Sequence, residues 1–261
     1  MADMDAYILS FPKSGRTWVR VFLYSYFSAC AQKPFTLDPA AFPHPEYPRL
    51  AFTHDAFEHY ALPGIWHRLR GKYLIPRTAR KRKKIVLIAR DPRDVAISLF
   101  FHLSKRQHNF RFRPDTLSEL IQHRQFGISG IIQIMNGWLR EWIHEPNFLM
   151  LRYEDCRADP ATRFHDLLRF LGFESINEKV FSASLEFASF ENMQRLEASG
   201  KFDHSILKPG NVSDRNSFKV RRGKIGGYVD CLGAEDLATV NAAMAELDPR
   251  FGYASTHLLP T

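Results

Sequence analysis

The chain has 261 residues, of which 45% are hydrophobic and 13% aromatic, so it is long and apolar enough to build one sizeable core. Its formal net charge of +8 predicts an anionic partner, such as a polyanionic nucleotide, an acidic acceptor, a membrane surface or nucleic acid. The three cysteines, Cys30, Cys156 and Cys231, are far apart in the sequence. This spacing excludes a disulfide framework and a cysteine zinc site, and it favours a reducing compartment.

The beginning of the chain lacks the charged start, apolar run and cleavage site of a secretory signal. No run approaches the roughly 18 apolar residues of a membrane span. We therefore expect a soluble, cytoplasmic protein. Residues 77–84 carry six positive charges, which could contact an anionic membrane or polymer. The interpretation that we prefer for them is a solvated approach to the following strand.

A phosphate-binding loop is predicted near the start of the chain. Tyr7–Phe11 is an apolar run typical of a buried strand, and Thr17–Cys30 is apolar on most faces, as a buried helix is. A turn that contains Gly15 connects them. Backbone N–H groups at such a turn bind anions together with the positive end of the helix dipole. The residues that would add charge and hydroxyl donors are Lys13, Ser14 and Thr17.

The order of residues distinguishes this loop from a Walker A loop, in which the lysine follows the second glycine. Here Lys13 precedes the glycine, and Trp18 closes the loop. The run P-K-S-G-x-T-W resembles the 5′-phosphosulfate loop of sulfotransferases that use 3′-phosphoadenosine 5′-phosphosulfate (PAPS). Arg16 stands where that family more often has Thr or Asn. The alternative is an ordinary strand–turn–helix with a surface lysine. By resemblance, the PAPS-binding residues of the loop are Lys13, Ser14, Gly15, Arg16, Thr17 and Trp18.

A histidine follows the next predicted strand. Leu50–Asp55 is a brief strand that ends in a polar triplet, and His54 lies at the edge where open α/β sheets bind their ligands. The sulfotransferase family has Lys-Thr-His in the corresponding place, and its histidine is the catalytic base. The resemblance implies this role for His54. Phe52 stands where the lysine would be, which removes one cation from the expected site.

The run Ile85–Ala89 is uninterrupted and apolar, as is typical of a central parallel strand, and D-P then supplies the N-cap and first residue of a helix. The motif R-D-P-R-D-V-A-x-S resembles the second sulfotransferase signature, which binds the 3′-phosphate. The resemblance implies that Arg90 and Ser98 hold that phosphate, since an arginine fork donates two hydrogen bonds to phosphate oxygens. We interpret Arg93 and Asp94 as ordinary charges at a helix start.

Two later segments resemble the parts of the family that lie near adenine. Residues 116–145 are predicted to be mostly helical, and Phe148–Tyr153 is predicted to be a strand. Its end, Y-E-D, resembles the motif whose tyrosine lies near the base, which implies that role for Tyr153. A segment S-F-x-x-M resembles the one over the base, so Phe190 would pack beside adenine with Trp18 on the other side. The alternative for Phe190 is a core aromatic. The motif residues of this segment are Ser189, Phe190 and Met193.

The segment Val220–Tyr228 is basic and glycine-rich and resembles the family motif R-K-G-x-x-G-D-W. The resemblance implies that Arg221, Arg222 and Gly223 clamp the 3′-phosphate. The pair Gly227–Tyr228 replaces Asp-Trp, which alters the packing behind the clamp. We expect this loop to be a lid that orders on the nucleotide.

Apolar strands alternating with helices predict one α/β domain over residues 1–261, with a central, mainly parallel β-sheet flanked by helices and a P-loop-like nucleotide-binding core. The resemblance implies in-line transfer of the sulfuryl group of PAPS to a hydroxyl, or in second place an amine, which leaves adenosine 3′,5′-bisphosphate (PAP). His54 would take the acceptor proton, and Lys13 would stabilise the leaving phosphate. We find no Walker B strand or carboxylate cluster suited to Mg²⁺, so a metal-independent reaction is predicted.

The sequence leaves the acceptor, the oligomeric state and two alternative functions open. Acceptor pockets of this architecture lie in loops, here residues 31–60, 104–130 and 199–217, so a small molecule, a lipid or a glycan is compatible. Their aromatic residues suit an aryl or lipid-like acceptor and are Phe35, Phe42, Phe57, Tyr60, Phe110 and Phe112. One alternative function is a P-loop phosphotransferase, and the other is a non-enzymatic polyanion-binding protein that uses residues 77–84 and 219–224. We expect no nucleic-acid partner.

Overall fold

The computed structural model describes residues 4–61, 74–75, 82–106, 112–200, 207 and 209–253, with the backbone alone for residues 59–61. Its sheet consists of β1 (Ala6–Ser10), β2 (Leu50–Thr53), β3 (Lys84–Ala89) and β4 (Phe148–Arg152). The strand order is β2-β1-β3-β4, and every neighbouring pair is parallel. In the register, Ala6 lies opposite Leu50 on one side and Lys84 on the other. The predicted parallel sheet is therefore confirmed.

Helices connect the strands and cover both faces of the sheet. The α-helices of the described residues are α1 (Arg16–Cys30), α2 (Ala56–Ala61), α3 (Pro92–Lys105), α4 (Leu117–Gln122), α5 (Ile128–Trp142), α6 (Tyr153–Ala158), α7 (Pro160–Leu171), α8 (Glu178–Phe187), α9 (Phe190–Ser199) and α10 (Ala234–Ala243). Short 3₁₀ turns are at Pro39–Ala41, Arg215–Ser217, Gly227–Asp230, Met244–Glu246 and Pro249–Phe251.

The central strands are apolar throughout because both of their faces are buried. Tyr7 and Leu9 of β1 belong to a core formed with α3, α4, α5 and α10. Ile8, which points to the opposite face, belongs to a second core formed with α1, α7 and α8. Alternate residues of one strand thus pack against two helical layers, as the strand period of two requires.

The predicted helix boundaries hold where a cap fixes them. Asp91 caps α3 by accepting the Arg93 N–H at 2.9 Å, and Gly172 ends α7 with a φ of +111°. The stretch 116–145 is mostly helical, as predicted, and it consists of two helices, α4 and α5. The backbone between them passes so close that a Cβ on Gly130 would lie 2.1 Å from the carbonyl oxygen of Gln125. A tight turn therefore separates α4 from α5.

The sheet order positions the functional site. From β1 the chain moves to β2 on one side and then crosses to β3 on the other side. The loops after β1 and β3 consequently begin next to each other at the carboxyl edge of the sheet. Such a point of reversal is where open α/β sheets bind their ligands.

Candidate active site

A cavity of about 440 Å³ lies where the loops after β1, β2 and β3 meet. This volume falls within the range of about 300–1,000 Å³ that is usual for small-molecule sites. The predicted site residues that line it are Lys13, Gly15, Arg16, Thr17, Trp18, His54, Arg90, Ser98, Tyr153, Phe190, Met193, Arg221, Arg222 and Gly223. The fold thus brings six separate sequence segments to one place. Two predicted residues, Ser14 and Ser189, are not among those that line the cavity.

The loop after β1 has the conformation of an anion site. Lys13 and Gly15 both have positive φ, +77° and +100°, which turns successive N–H groups toward one side. Gly15 is also the N-cap of α1 and offers no side chain to accept from the first turn. A Cβ on Gly15 would lie 2.8 Å from Cδ2 of Tyr153, so the position requires glycine. The first N–H groups of α1 therefore remain for an anion.

His54 is held in one tautomer by the end of β1. Its Nδ1 lies 2.7 Å from the carbonyl oxygen of Ser10, so Nδ1 carries the proton and donates it, and Nε2 is left as the acceptor. The turn that follows is fixed by Asp55, whose carboxylate accepts the indole N–H of Trp138 at 2.9 Å and the backbone N–H of Ile75 at 2.8 Å. A neutral His54 therefore has the form that a general base needs.

Burial and the positive charges around His54 favour the neutral form of its ring. Burial lowers the pKa of His54 well below its usual value of 6.5, and the positive charge of Arg16 lowers it further. Lys219 and His102 act in the same direction, whereas the hydrogen bond to Ser10 partly offsets them. His54 is therefore unprotonated at neutral pH in the free protein.

The cavity has an excess of cations. Burial, and next to it the charge of Lys219, lowers the pKa of Lys13 well below 10.5. Burial and the charge of Arg106 likewise lower the pKa of Lys219 to about 8, although Glu197 raises it. Cations that lower each other's pKa values repel one another, and an anion that binds between them offsets this repulsion. The electrostatics of the site therefore favour a ligand of high negative charge.

Arg90 connects three segments at the edge of the cavity. Its Nη1 donates to the carbonyl oxygen of Lys13 and its Nη2 to that of Lys224, both at 3.2 Å. The guanidinium carbon lies 4.4 Å from the centre of the Tyr153 ring. Its Nε is buried and has no hydrogen-bond partner within the described part of the chain. One donor of Arg90 thus remains for a ligand oxygen, and Ser98 of α3 lines the same cavity.

The basic loop after Val220 packs against the aromatic residues. Gly223 has a φ of +60°, its carbonyl oxygen accepts from the Tyr153 hydroxyl at 3.3 Å, and a Cβ there would lie 2.6 Å from the Phe190 ring. The guanidinium of Arg221 lies 4.1 Å from the centre of the Phe101 ring, and its buried Nη1 has no partner among the described residues. Arg222 lies 3.8 Å from the carboxylate of Asp230. These contacts place both arginines and Gly223 along the cavity.

Of the residues expected near adenine, Trp18, Tyr153 and Met193 line the cavity, whereas Ser189 does not. Trp18 makes an edge contact with Tyr153 at 5.8 Å between ring centres, and both rings line the cavity. Met193 is buried but reaches the cavity wall. Ser189 caps α9, since its hydroxyl accepts the N–H of Asn192 at 3.3 Å. The hydroxyl of Ser14 is buried and has no hydrogen-bond partner in the residues that the structure describes.

The interpretation of Arg93 and Asp94 as ordinary helix-start charges is wrong. Arg93 is only 2% exposed, donates to Asp91 at 2.7 Å and lies 4.6 Å from the centre of the Tyr228 ring. Asp94 is 3% exposed and accepts the N–H groups of Gly226 at 2.8 Å and Tyr228 at 3.1 Å. Both charges are buried because they hold the basic loop, and burial raises the pKa of Asp94.

Several residues of the site were not predicted. The most informative is Lys219, which the sequence suggested only as part of a basic surface run. The fully buried Glu197 accepts the backbone N–H of Lys219 at 2.6 Å and pairs with Arg106 at 3.0 Å. A glutamate in a helix gives no local signal of this role. The other unpredicted residues that line the cavity include Glu58, His102 and Arg157.

Of the four aromatic residues expected around an acceptor whose side chains the structure describes, three do not line the cavity. Phe35 packs against Phe187 with 4.7 Å between ring centres, and Phe42 is buried in the core. Phe112 packs on His123 at 4.0 Å, whereas Phe57 does line the cavity. Phe110 and the side chain of Tyr60 lie outside the described residues, and so does most of the basic run 77–84.

The described residues contain neither a metal-binding cluster nor a membrane-spanning helix. Within the described ranges, no group of three or more His, Cys, Asp or Glu side chains is arranged to hold a metal ion. Among the same residues, no helix has the length and apolar character needed to cross a membrane.

The fold and the cationic cavity define an α/β protein with a P-loop-like site for a polyanion. Residues 3–248 match the family model described as a sulfotransferase domain, and the chain belongs to the sulfotransferase family. The predicted family and enzyme class are thus confirmed, and both alternatives, a P-loop phosphotransferase and a non-enzymatic polyanion-binding protein, are disfavoured.

Curated relatives and solved structures agree with this assignment. Cytosolic sulfotransferase 17 of Arabidopsis thaliana is 26% identical and is aligned over 97% of this chain and 76% of its own length. The amine sulfotransferase of Oryctolagus cuniculus is also 26% identical and is aligned over 87% of this chain and 74% of its own length. A mouse sulfotransferase complexed with PAP has the same fold, with a TM-score of 0.66 and 19% identity over 93% of this chain and 83% of its own. A retinol dehydratase in complex with androsterone and PAP matches with a TM-score of 0.64 and 19% identity. The match covers 94% of this chain and 81% of the dehydratase chain.

Proposed function

We propose that this protein transfers the sulfuryl group of PAPS to a hydroxyl group of its acceptor and releases PAP. The observation that carries this proposal is the placement of His54 and Lys13 in one cavity, with Nδ1 of His54 bound to the Ser10 carbonyl at 2.7 Å and Nε2 left to accept a proton. A base and a cation on opposite sides of a transferred group are what such a reaction needs.

The residues present fit a nucleotide with phosphates on both sides of the ribose. The loop Lys13–Trp18 supplies the first-turn N–H groups of α1 for the 5′-phosphosulfate. Arg90 and Arg221 each have a buried nitrogen without a partner among the described residues, and Ser98, Arg222 and Gly223 complete that side of the cavity for the 3′-phosphate. A second phosphate site is what separates PAPS from ATP.

The proposed step is an in-line displacement at sulfur. The acceptor oxygen forms a bond to sulfur while the bond from sulfur to the 5′-phosphate oxygen breaks. The acceptor proton moves to Nε2 of His54, and Lys13 and the loop N–H groups stabilise the charge that develops on the phosphate. Catalysis of this kind consists mainly of positioning and electrostatics. No residue in this scheme requires a metal ion, so metal-independent transfer stays a prediction.

The proposed position of adenine follows from the aromatic side chains that line the cavity. Phe190 and Trp18 both line the cavity, and Phe190 is backed by Gly223 and by Arg157, whose guanidinium lies 5.6 Å from the ring centre. Adenine would pack between them, with Tyr153 and Met193 nearby, since an aromatic face tolerates a flat base. Ser189 would act indirectly, by capping the helix that carries Phe190.

A hydroxyl is the first choice of acceptor and an amine the second. Relatives named for flavonols and hydroxysteroids support a hydroxyl, and one named for an amine supports the second choice. We further propose that residues 1–261 form one sulfotransferase domain. A cytoplasmic location is supported by relatives that are named cytosolic.

Calorimetric titration tests the proposed function with PAP beside AMP, ADP and ATP, all in EDTA. We expect selective, tight binding of PAP, because it alone among these ligands carries the 3′-phosphate. Stronger binding of ATP, with a requirement for Mg²⁺, would instead support a phosphotransferase.

A further inference from the structure

Two cations of the cavity, Arg16 and Lys219, are not needed for the 3′-phosphate site described above. Arg16 is the first residue of α1, and its buried Nη1 has no hydrogen-bond partner among the described residues. Lys219 is held through its backbone N–H by Glu197 at 2.6 Å, so its side chain is free to extend into the cavity that it lines. Both side chains thus present donors to the cavity.

These two cations line the cavity together with His54 and are near enough for their charges to act on its ring. The charges of Arg16 and Lys219 both act on the His54 ring, and the charge of Arg16 acts on Lys219 as well. The neighbouring Arg20 is not among the residues that line the cavity, and its guanidinium carbon lies 4.0 Å from the centre of the Phe52 ring on β2. Glu58, a carboxylate that lines the cavity, accepts the Thr53 hydroxyl at 3.3 Å.

We infer that Arg16 and Lys219 bind the oxygens of the sulfuryl group during its transfer, between Lys13 and His54. This inference rests on the proposed function. The S–O bond to the 5′-phosphate breaks as the bond to the acceptor oxygen forms, and the acceptor proton goes to His54. The sulfuryl oxygens are not consumed in either bond, so they stay available to both cations throughout. A guanidinium suits them because its planar fork donates to two oxygens at once.

This pair also accounts for a departure from the family motifs. Phe52 is apolar where the family has a lysine, and Arg16 is basic where it more often has Thr or Asn. Lys219 adds a second charge from a separate loop that lines the same cavity. Arg16 of α1 and Lys219 of the loop after Ser217 thus supply the positive charge that is missing at Phe52 of β2.

The test compares PAPS with PAP, which differ only in the sulfuryl group. Calorimetry without acceptor measures both affinities for the unaltered protein, Arg16→Thr and Lys219→Met, with Lys179→Met as the control for removal of an exposed charge. We expect the two cavity variants to lose about tenfold or more in PAPS affinity, the loss typical of a charge-assisted hydrogen bond, and much less in PAP affinity. Arg16→Lys and Lys219→Arg should retain most of the preference for PAPS.

Each other outcome overturns the inference for the residue concerned. Equal losses for PAPS and PAP would assign the cation to a phosphate of PAP, and no loss for either would leave it without a ligand. Unchanged PAPS affinity with a raised KM for the acceptor would assign it to an anionic group of the acceptor. Absence of PAP binding by the unaltered protein would instead contradict the proposed function, so the two failures are distinguishable.

Discussion

Asp94 accepts the backbone N–H of Tyr228 at 3.1 Å, and this contact joins the helix of the second signature to the basic loop. The same carboxylate accepts the Gly226 N–H at 2.8 Å and lies 3.7 Å from Nη2 of Arg90. One buried charge therefore orients both an arginine and the loop that carries Arg221 and Arg222. The proposed 3′-phosphate site therefore depends on this relationship as much as on the basic residues themselves.

Asp94→Asn should weaken PAP binding by about tenfold and lower the free energy of unfolding by about 1–3 kcal/mol. The amide keeps the shape of the side chain but loses the charge and one of its two acceptor oxygens. Calorimetry and urea denaturation measure the two effects. Asp166→Asn removes an exposed ion pair with Arg163 and should change neither. Normal PAP affinity in folded Asp94→Asn would mean that the loop is positioned without this carboxylate.

His54→Ala should reduce kcat by about 10²–10⁴, because it removes the acceptor of the proton, while leaving PAP affinity unchanged. Nucleotide binding and single-turnover rates measured on the same preparation separate these effects. His144→Ala, which removes an exposed histidine, is the matched control. Parallel loss of turnover and PAP binding would identify His54 as a nucleotide ligand or a structural residue.

Stability should fall in acid because of His102. Burial and the charges of Lys13, Lys219 and Arg106 lower the pKa of His102 to about 2, whereas an unfolded histidine has a pKa of about 6.5. Below pH 6.5 the unfolded state therefore binds a proton that the folded state does not. The free energy of unfolding contributed by this group then decreases by about 1.4 kcal/mol for each pH unit.

The His102→Gln variant tests whether His102 causes this decrease in the free energy of unfolding at low pH. Between pH 6 and pH 5 its unfolding free energy should decrease less than that of the unaltered protein by about 1.2 kcal/mol. Urea denaturation at both pH values provides the measurement, and His144→Gln should follow the unaltered protein. An identical decrease in His102→Gln and the unaltered protein would show that His102 is protonated in the folded state.

Gly223→Ala should weaken PAP binding by about tenfold, equivalent to about 1.4 kcal/mol, because the new methyl group displaces Phe190. Its Cβ would lie 2.6 Å from the ring. Gly200 has a similar φ, +62°, but its Cβ would meet nothing within 4 Å. Gly200→Ala therefore carries the backbone strain alone, about 1–2 kcal/mol, and should bind PAP normally. Similar PAP affinities for the two variants would exclude a role for the contact between Gly223 and Phe190.

The sequence by itself determined the parallel sheet and the two loops at its edge. Continuous apolar runs such as Ile85–Ala89 arise only when both faces of a strand are buried, and glycine and N-cap residues mark where the chain turns. The family motifs then indicated His54, Lys13 and Arg90 as candidate site residues, and all three line the cavity. These signals are local, since a strand, a turn or a cap depends on residues that are neighbours in the chain.

The tertiary structure decided which charges are buried and what they hold. A charge at a helix start has the same sequence pattern whether it is solvated or, like Asp94, bonded to a loop 132 residues away. Lys219 reaches the cavity because Glu197, 22 residues earlier, is fully buried and is itself paired with Arg106, the C-cap residue of α3. The energy of these contacts depends on distances between segments that are remote in the chain, so a local sequence pattern does not predict them.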